Sequence, residues 1–104
     1  MTFEEYQAKA HETNQYPKEY LMECLALGLC SEAGEVAGKV KKSHRDGIGF
    51  NHNGVIDEIG DCIWYCSELA RLCGVTLQEV AERNISKLAS RAIRNQIKGN
   101  GDDR

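Results

Sequence analysis

At 104 residues, 41% hydrophobic and 28% charged, the chain is one domain's worth, able to bury a modest core and close to the size at which assembly often helps. Its net charge of −3 argues against a broad nucleic-acid footprint, which wants a basic face. No apolar run approaches the roughly 20 residues of a membrane span, and Met1-Thr2-Phe3-Glu4-Glu5 carries acids where a secretory signal would have a basic start, so a cytoplasmic protein with no membrane partner is expected.

Thr2 followed by Glu5 reads as a capping box opening a first helix that runs to about Asn14, before the break at Pro17. A second helix starts near Pro17 or Lys18 and keeps its period to about Lys42, with Lys39, Lys41 and Lys42 in the closing turns where cations suit the helix dipole. Ser43 to Asn53 has no apolar period and contains Gly47 and Gly49, which predicts a loop long enough to be mobile. A third helix runs from about Gly54 to Cys73, stopped by Gly74 as a left-handed cap. Thr76 with Glu79 is a second capping box, opening a fourth helix through Leu77, Val80, Ala81, Asn84, Ile85, Leu88 and Ala92. Strand-like alternation is absent. The expected fold is all-α: a small four-helix bundle over residues 1–97 whose antiparallel helix hairpin carries the site described next, with residues 98–104 a disordered tail. Cys24, Cys30, Cys62, Cys66 and Cys73 form an odd set with no signal segment, so reduced thiols are the default. Cys62 and Cys66 at i,i+4 read as small core residues rather than zinc ligands, since no histidine or further thiol accompanies them at a recognisable spacing.

Two acidic pairs carry the functional signal. Advancing about 100° per residue, the stripe of the second helix collects Leu21, Leu25, Leu29, Glu32, Glu35, Val36 and Lys39. That of the third collects Glu58, Asp61, Cys62, Tyr65, Cys66, Leu69, Leu72 and Cys73, with Ser67 and Arg71 opposite. Each pair therefore interrupts a core face. The pairs lie at similar distances from the connecting loop, so a hairpin brings them to one level, where Gly28, Gly34, Gly38 and Gly60 permit close approach. Four carboxylates in a partly dry interhelical space repel one another unless protonated, paired with bases or bound to a cation. Oxygen-only ligation suits a hard ion, and Mg²⁺ typically bridges carboxylates to substrate phosphates. The di-iron alternative needs Glu-x-x-His pairs, which His11, His44 and His52 do not supply.

Leu27-Gly28-Leu29-Cys30-Ser31-Glu32-Ala33-Gly34-Glu35-Val36-Ala37, then Asp57-Glu58-Ile59-Gly60-Asp61, then Glu82-Arg83-Asn84-Ile85-Ser86-Lys87-Leu88, resembles the MazG-like nucleoside triphosphate pyrophosphohydrolases over nearly the whole chain. Ser31 stands where the family's longer motif has its first acid, which leaves four acids. The resemblance implies an all-α enzyme that cleaves (deoxy)nucleoside triphosphates to the monophosphate and pyrophosphate. It also implies Mg²⁺, with Mn²⁺ as a substitute, on Glu32, Glu35, Glu58 and Asp61, a water activated by Glu32 or Glu35, and a homodimer or homotetramer.

On the substrate side, Asn84 and Lys87 are similar to the family's N-x-x-K, and a carboxamide on the apolar face of the fourth helix must find a partner in any case. Arg91 flanks the same stripe a turn further on. Lys39, one turn beyond Glu35, is either a phosphate partner or a helix-end lysine reaching solvent. Tyr65, one turn after Asp61, either contacts a nucleotide or is a core aromatic with a wet tip. Trp64 projects to the outer side as an oligomer contact, and His44, Arg45, Phe50 and His52 sit in the loop, either closing over a base or idle as surface-loop residues usually are. Two other readings share these residues: a non-catalytic helical module sensing a nucleotide or metal, and a phosphoribosyl-ATP pyrophosphohydrolase.

Overall fold

Thr2 caps the first helix with half of the expected box: its hydroxyl accepts the Glu5 N–H at 3.1 Å while the Glu5 carboxylate takes the Thr2 hydroxyl at 3.3 Å, and α1 runs over Phe3–Glu12 in a computed structural model that describes residues 1–95, 99, 101 and 102. The helix stops short of Asn14 because the next two side chains leave the helical pattern. Thr13 Oγ1 donates to the Ala10 carbonyl at 2.6 Å and Asn14 Nδ2 reaches across to Glu68. Pro17 is extended and leads through a 3₁₀ turn, Lys18–Tyr20, into α2, Leu21–Asp46.

α2 runs four residues beyond Lys42. Ser43 folds its hydroxyl back on the Lys39 carbonyl at 3.0 Å, Arg45 pairs with Asp46 at 2.6 Å, and Gly47 closes the helix at φ 66°, a left-handed conformation that glycine adopts without strain. The connection to α3, His52–Leu72, is therefore residues 47–51, shorter than the mobile loop expected, and His44, Arg45 and His52 belong to helices. Asn51 caps α3 through the Gly54 N–H at 3.0 Å. Gly74 at φ 77° ends it as predicted, and α4, Leu77–Ile93, opens on a complete Thr76/Glu79 capping box.

The fold is all-α, a small bundle with no strand among the described residues. α2 and α3 form the hairpin and its most extensive interface; α1 lies against α3 and α4, and α4 touches α1 and α3 but not α2. α3 thus has two inner faces. The stripe with Glu58 and Tyr65 looks to α2, while Ser67, expected on the solvated side, is fully enclosed under α1. Trp64 is half-buried against the same helix: its Nε1–H donates to Thr13 Oγ1 at 2.8 Å and to the Ala10 carbonyl at 3.2 Å, so it docks α1 rather than standing outward. Gln7 ties three helices, donating to the Ser67 carbonyl at 3.1 Å and accepting the Leu77 N–H at 3.0 Å.

The apolar interior is thin. Ala10, Leu25, Ala70 and Leu77 are the buried hydrophobic residues among those described, while Leu27, Ile56, Ile85 and Leu88 stay exposed. Of the tail expected to be disordered, residues 98, 100, 103 and 104 lie outside the described residues; Gly101 and Asp102 lie against α4.

Candidate active site

The hairpin brings one oxygen from each of Glu32, Glu58 and Asp61 within 4.8 Å of one another, two half-buried and the third exposed. Glu32 rises from α2 while Glu58 and Asp61, one turn apart, share a face of α3, so the antiparallel packing alone assembles the trio. Glu35 is exposed and outside this group, but close enough that its charge adds to the field on Glu32.

That field acts on Glu32 itself. Glu32 is held above the ordinary carboxylate value, first by its side-chain hydrogen bond with Glu58, then through desolvation and the charges of Asp61, Glu58 and Glu35. Lys39 Nζ approaches Glu58 Oε1 at 3.5 Å, which places the lysine beside the acids rather than in open solvent. One lysine does not balance them: Glu58 Oε2 is buried without any hydrogen-bond partner. A buried, unpartnered carboxylate oxygen in a cluster of three acids is a site for a positive ion, and three oxygen donors with no nitrogen or sulfur suit a hard divalent one. The residues present therefore fit such a metal.

Tyr65 stands beside the acids on the hairpin side of α3. Its ring packs so tightly on Gly28 that a Cβ there would collide with the ring and hydroxyl, the one glycine near this level where close approach is used. Gly34, Gly38 and Gly60 face open space. The Tyr65 hydroxyl lies 2.7 Å from that of Tyr16, and this bond, with burial and nearby acids, pushes its pKa up to about 12, so the phenol remains a hydrogen-bond donor at neutral pH. Trp64 crosses Tyr65 edge-on at 4.9 Å between centroids. Together with Thr13, Gln15 and Tyr16 they line a cleft of about 320 Å³. Tyr16 gave no sign in the sequence, because a single aromatic before Pro17 has no period to belong to and its partner is 49 residues away.

The α4 residues do not join this group within one chain. Asn84 is exposed, in a stripe with Val80 and Leu88, both exposed as well. Lys87 Nζ pairs with Asp102 Oδ1 at 3.4 Å. Arg91 is 4% exposed and gives its guanidinium to the carbonyls of Asp102 at 2.7 Å and Gly101 at 3.4 Å, which a phosphate would have to displace.

Residues 21–94 match the model of the MazG nucleotide pyrophosphohydrolase domain, a span that contains all four acids, Tyr65 and the three α4 residues. The chain is also similar to the Gene 37 protein of Mycobacterium phage L5, 44% identical over 84 residues that cover 77% of this chain and 74% of the phage protein. No solved structure matches it. The paired acids on a helical hairpin and the match over α2 to α4 agree, and the chain belongs to the MazG nucleotide pyrophosphohydrolase family.

Proposed function

We propose that the protein hydrolyses nucleoside triphosphates, deoxy forms included, to the monophosphate and pyrophosphate with Mg²⁺, or Mn²⁺ in its place. The observation that carries this reading is the convergence of the Glu32, Glu58 and Asp61 oxygens within 4.8 Å, with Glu58 Oε2 buried and unmatched. Held by these oxygens, the ion would supply Lewis-acid neutralisation of charge developing between the α and β phosphorus atoms. The chain's own groups do the rest. Glu35, near the trio but outside it, orients and deprotonates the attacking water. Lys39, already beside Glu58, faces the phosphates. The cleft of Tyr16, Trp64 and Tyr65 takes the base, with stacking surface from the rings and a donor from the Tyr65 hydroxyl.

Asn84 and Lys87 complete the phosphate side from a second copy of the chain. What supports this is that α4 does not touch α2 within one chain, while Val80, Ile85 and Leu88 leave apolar surface around Asn84 exposed.

Pyrophosphate release is to be measured over standard and damaged nucleoside triphosphates and phosphoribosyl-ATP, with Mg²⁺ and with chelator. Turnover of the nucleoside triphosphates with Mg²⁺ alone is expected, and Glu35→Gln and Asp61→Asn should each lower kcat by at least about 100-fold with the helical spectrum unchanged. Near-normal hydrolysis in those variants would remove the assignment. Calorimetric binding without turnover would make the protein a sensing module, and selective cleavage of phosphoribosyl-ATP would move it to that substrate.

A further inference from the structure

Glu68 is 1% exposed, an acid placed on α3 two turns past Asp61 and outside the chemistry proposed above. Its Oε1 lies 3.0 Å from His11 Nδ1 and accepts Asn14 Nδ2 at 2.7 Å; its Oε2 is buried with no partner. A carboxyl kept inside with one oxygen unmatched is a poor source of stability, since an apolar side chain of similar size would hold α1 to α3 as well or better. What the carboxyl adds is direction. Asn14 sits at the foot of α1, and with its amide nitrogen fixed on Glu68 its Oδ1 accepts the main-chain N–H of Tyr16 at 3.0 Å. Tyr16 then meets the Tyr65 hydroxyl at 2.7 Å. Hydrogen bonds thus lead from the interior acid to the main chain of Tyr16, whose own side chain carries the link on to the aromatic wall beside Asp61.

We propose that Glu68, acting through Asn14, is a positioning residue for nucleotide selection: it sets the linker at residues 13–16 so that Tyr16 stands against Tyr65 and Trp64 and closes the cleft around a nucleobase. This rests on the reading of that cleft as the base site. Gln15 and Tyr16 are exposed and belong to no helix, so side-chain bonds rather than helical ones fix this stretch. Without the bond to Glu68, Asn14 loses its orientation, Tyr16 swings away and the base loses one face. The acids and their grip on the triphosphate are untouched. The consequence is a split between KM and kcat.

The test uses the full chain as Glu68→Leu, which keeps bulk and removes the acceptor, Glu68→Gln, which keeps an acceptor oxygen for Asn14, and Asn14→Ala on the surface linker. KM and kcat for nucleoside triphosphates are measured beside inhibition by inorganic triphosphate, which has no base. Glu68→Leu and Asn14→Ala should raise KM by about fivefold, the equivalent of one hydrogen bond. Their kcat and their inhibition by inorganic triphosphate should stay at wild-type values, and Glu68→Gln should fall within about twofold of wild type. An unchanged KM in Asn14→Ala overturns the proposal, whether or not Glu68→Leu folds. So does weaker inhibition by inorganic triphosphate in step with the KM rise, which would mean general loosening. Absence of turnover in the wild type would strike the hydrolase reading instead; calorimetric affinity for a nucleoside triphosphate in the same variants would then judge the Glu68 contact by itself.

Discussion

Glu32 keeps its proton to a higher pH than an isolated carboxyl, and this raised value has a direction for stability. A group raised in the folded state adds stability that is present in full below its ordinary value, 4.5, and is lost as pH climbs through the folded one. Metal-free protein should therefore lose Tm as pH rises above the ordinary value of 4.5, Glu32→Gln should flatten that slope, and Mg²⁺ at neutral pH should restore the wild type. Thermal scans across this range with chelator and with Mg²⁺ would read it, and a variant retaining the full slope would deny Glu32 the role. Gly28 makes a second prediction at this scale. Gly28→Ala puts a methyl group into the Tyr65 ring, so the ring must shift at an overpacking cost of about 1–3 kcal/mol and the Tyr16 contact opens. Chemical denaturation should register the loss of stability, and KM should rise more than kcat falls.

The helices were legible where a side chain closes them and illegible where bonds within the last turn extend them. Thr76 with Glu79 and Gly74 behave as their positions in the sequence predict. The last turn of α2 did not, because Ser43 to Asp46 contain no apolar residue to carry a period; a back-bond from Ser43 and the Arg45–Asp46 pair hold it instead. Of the four acids expected to converge, Glu32, Glu58 and Asp61 do so, since i,i+3 pairs on facing stripes meet across a hairpin, while Glu35 stands exposed outside the group, one turn along α2. The second inner face of α3 was not, because one stripe describes one neighbour and α1 is a second. Glu68 lies at i+7 from Asp61, a signal that becomes readable once two neighbours are allowed. The turn between α2 and α3 gives the element-scale prediction. Gly47→Ala at φ 66° should cost about 1 kcal/mol, seen as a lower denaturation midpoint at constant m.

Across the whole molecule, four buried apolar residues among those described are few for a chain of this length, and the exposed stripe on α4 says where further burial is available. Sedimentation should find a dimer or larger, and Leu88→Glu should shift it toward monomer with loss of turnover. If α4 serves its partner's acids, co-refolded Glu35→Gln and Lys87→Gln chains, each nearly inactive alone, should regain about a quarter of wild-type activity, since random pairing leaves one composite site in four whole. Recovery of nothing would confine each site to its own chain. A thin interior also ties folding to mass action: Tm should climb with protein concentration, and dilute, newly made chains should be open to proteolysis. Below the association constant's threshold, output would then follow the square of the number of chains made, so that expression level acts as a switch and not merely as a scale.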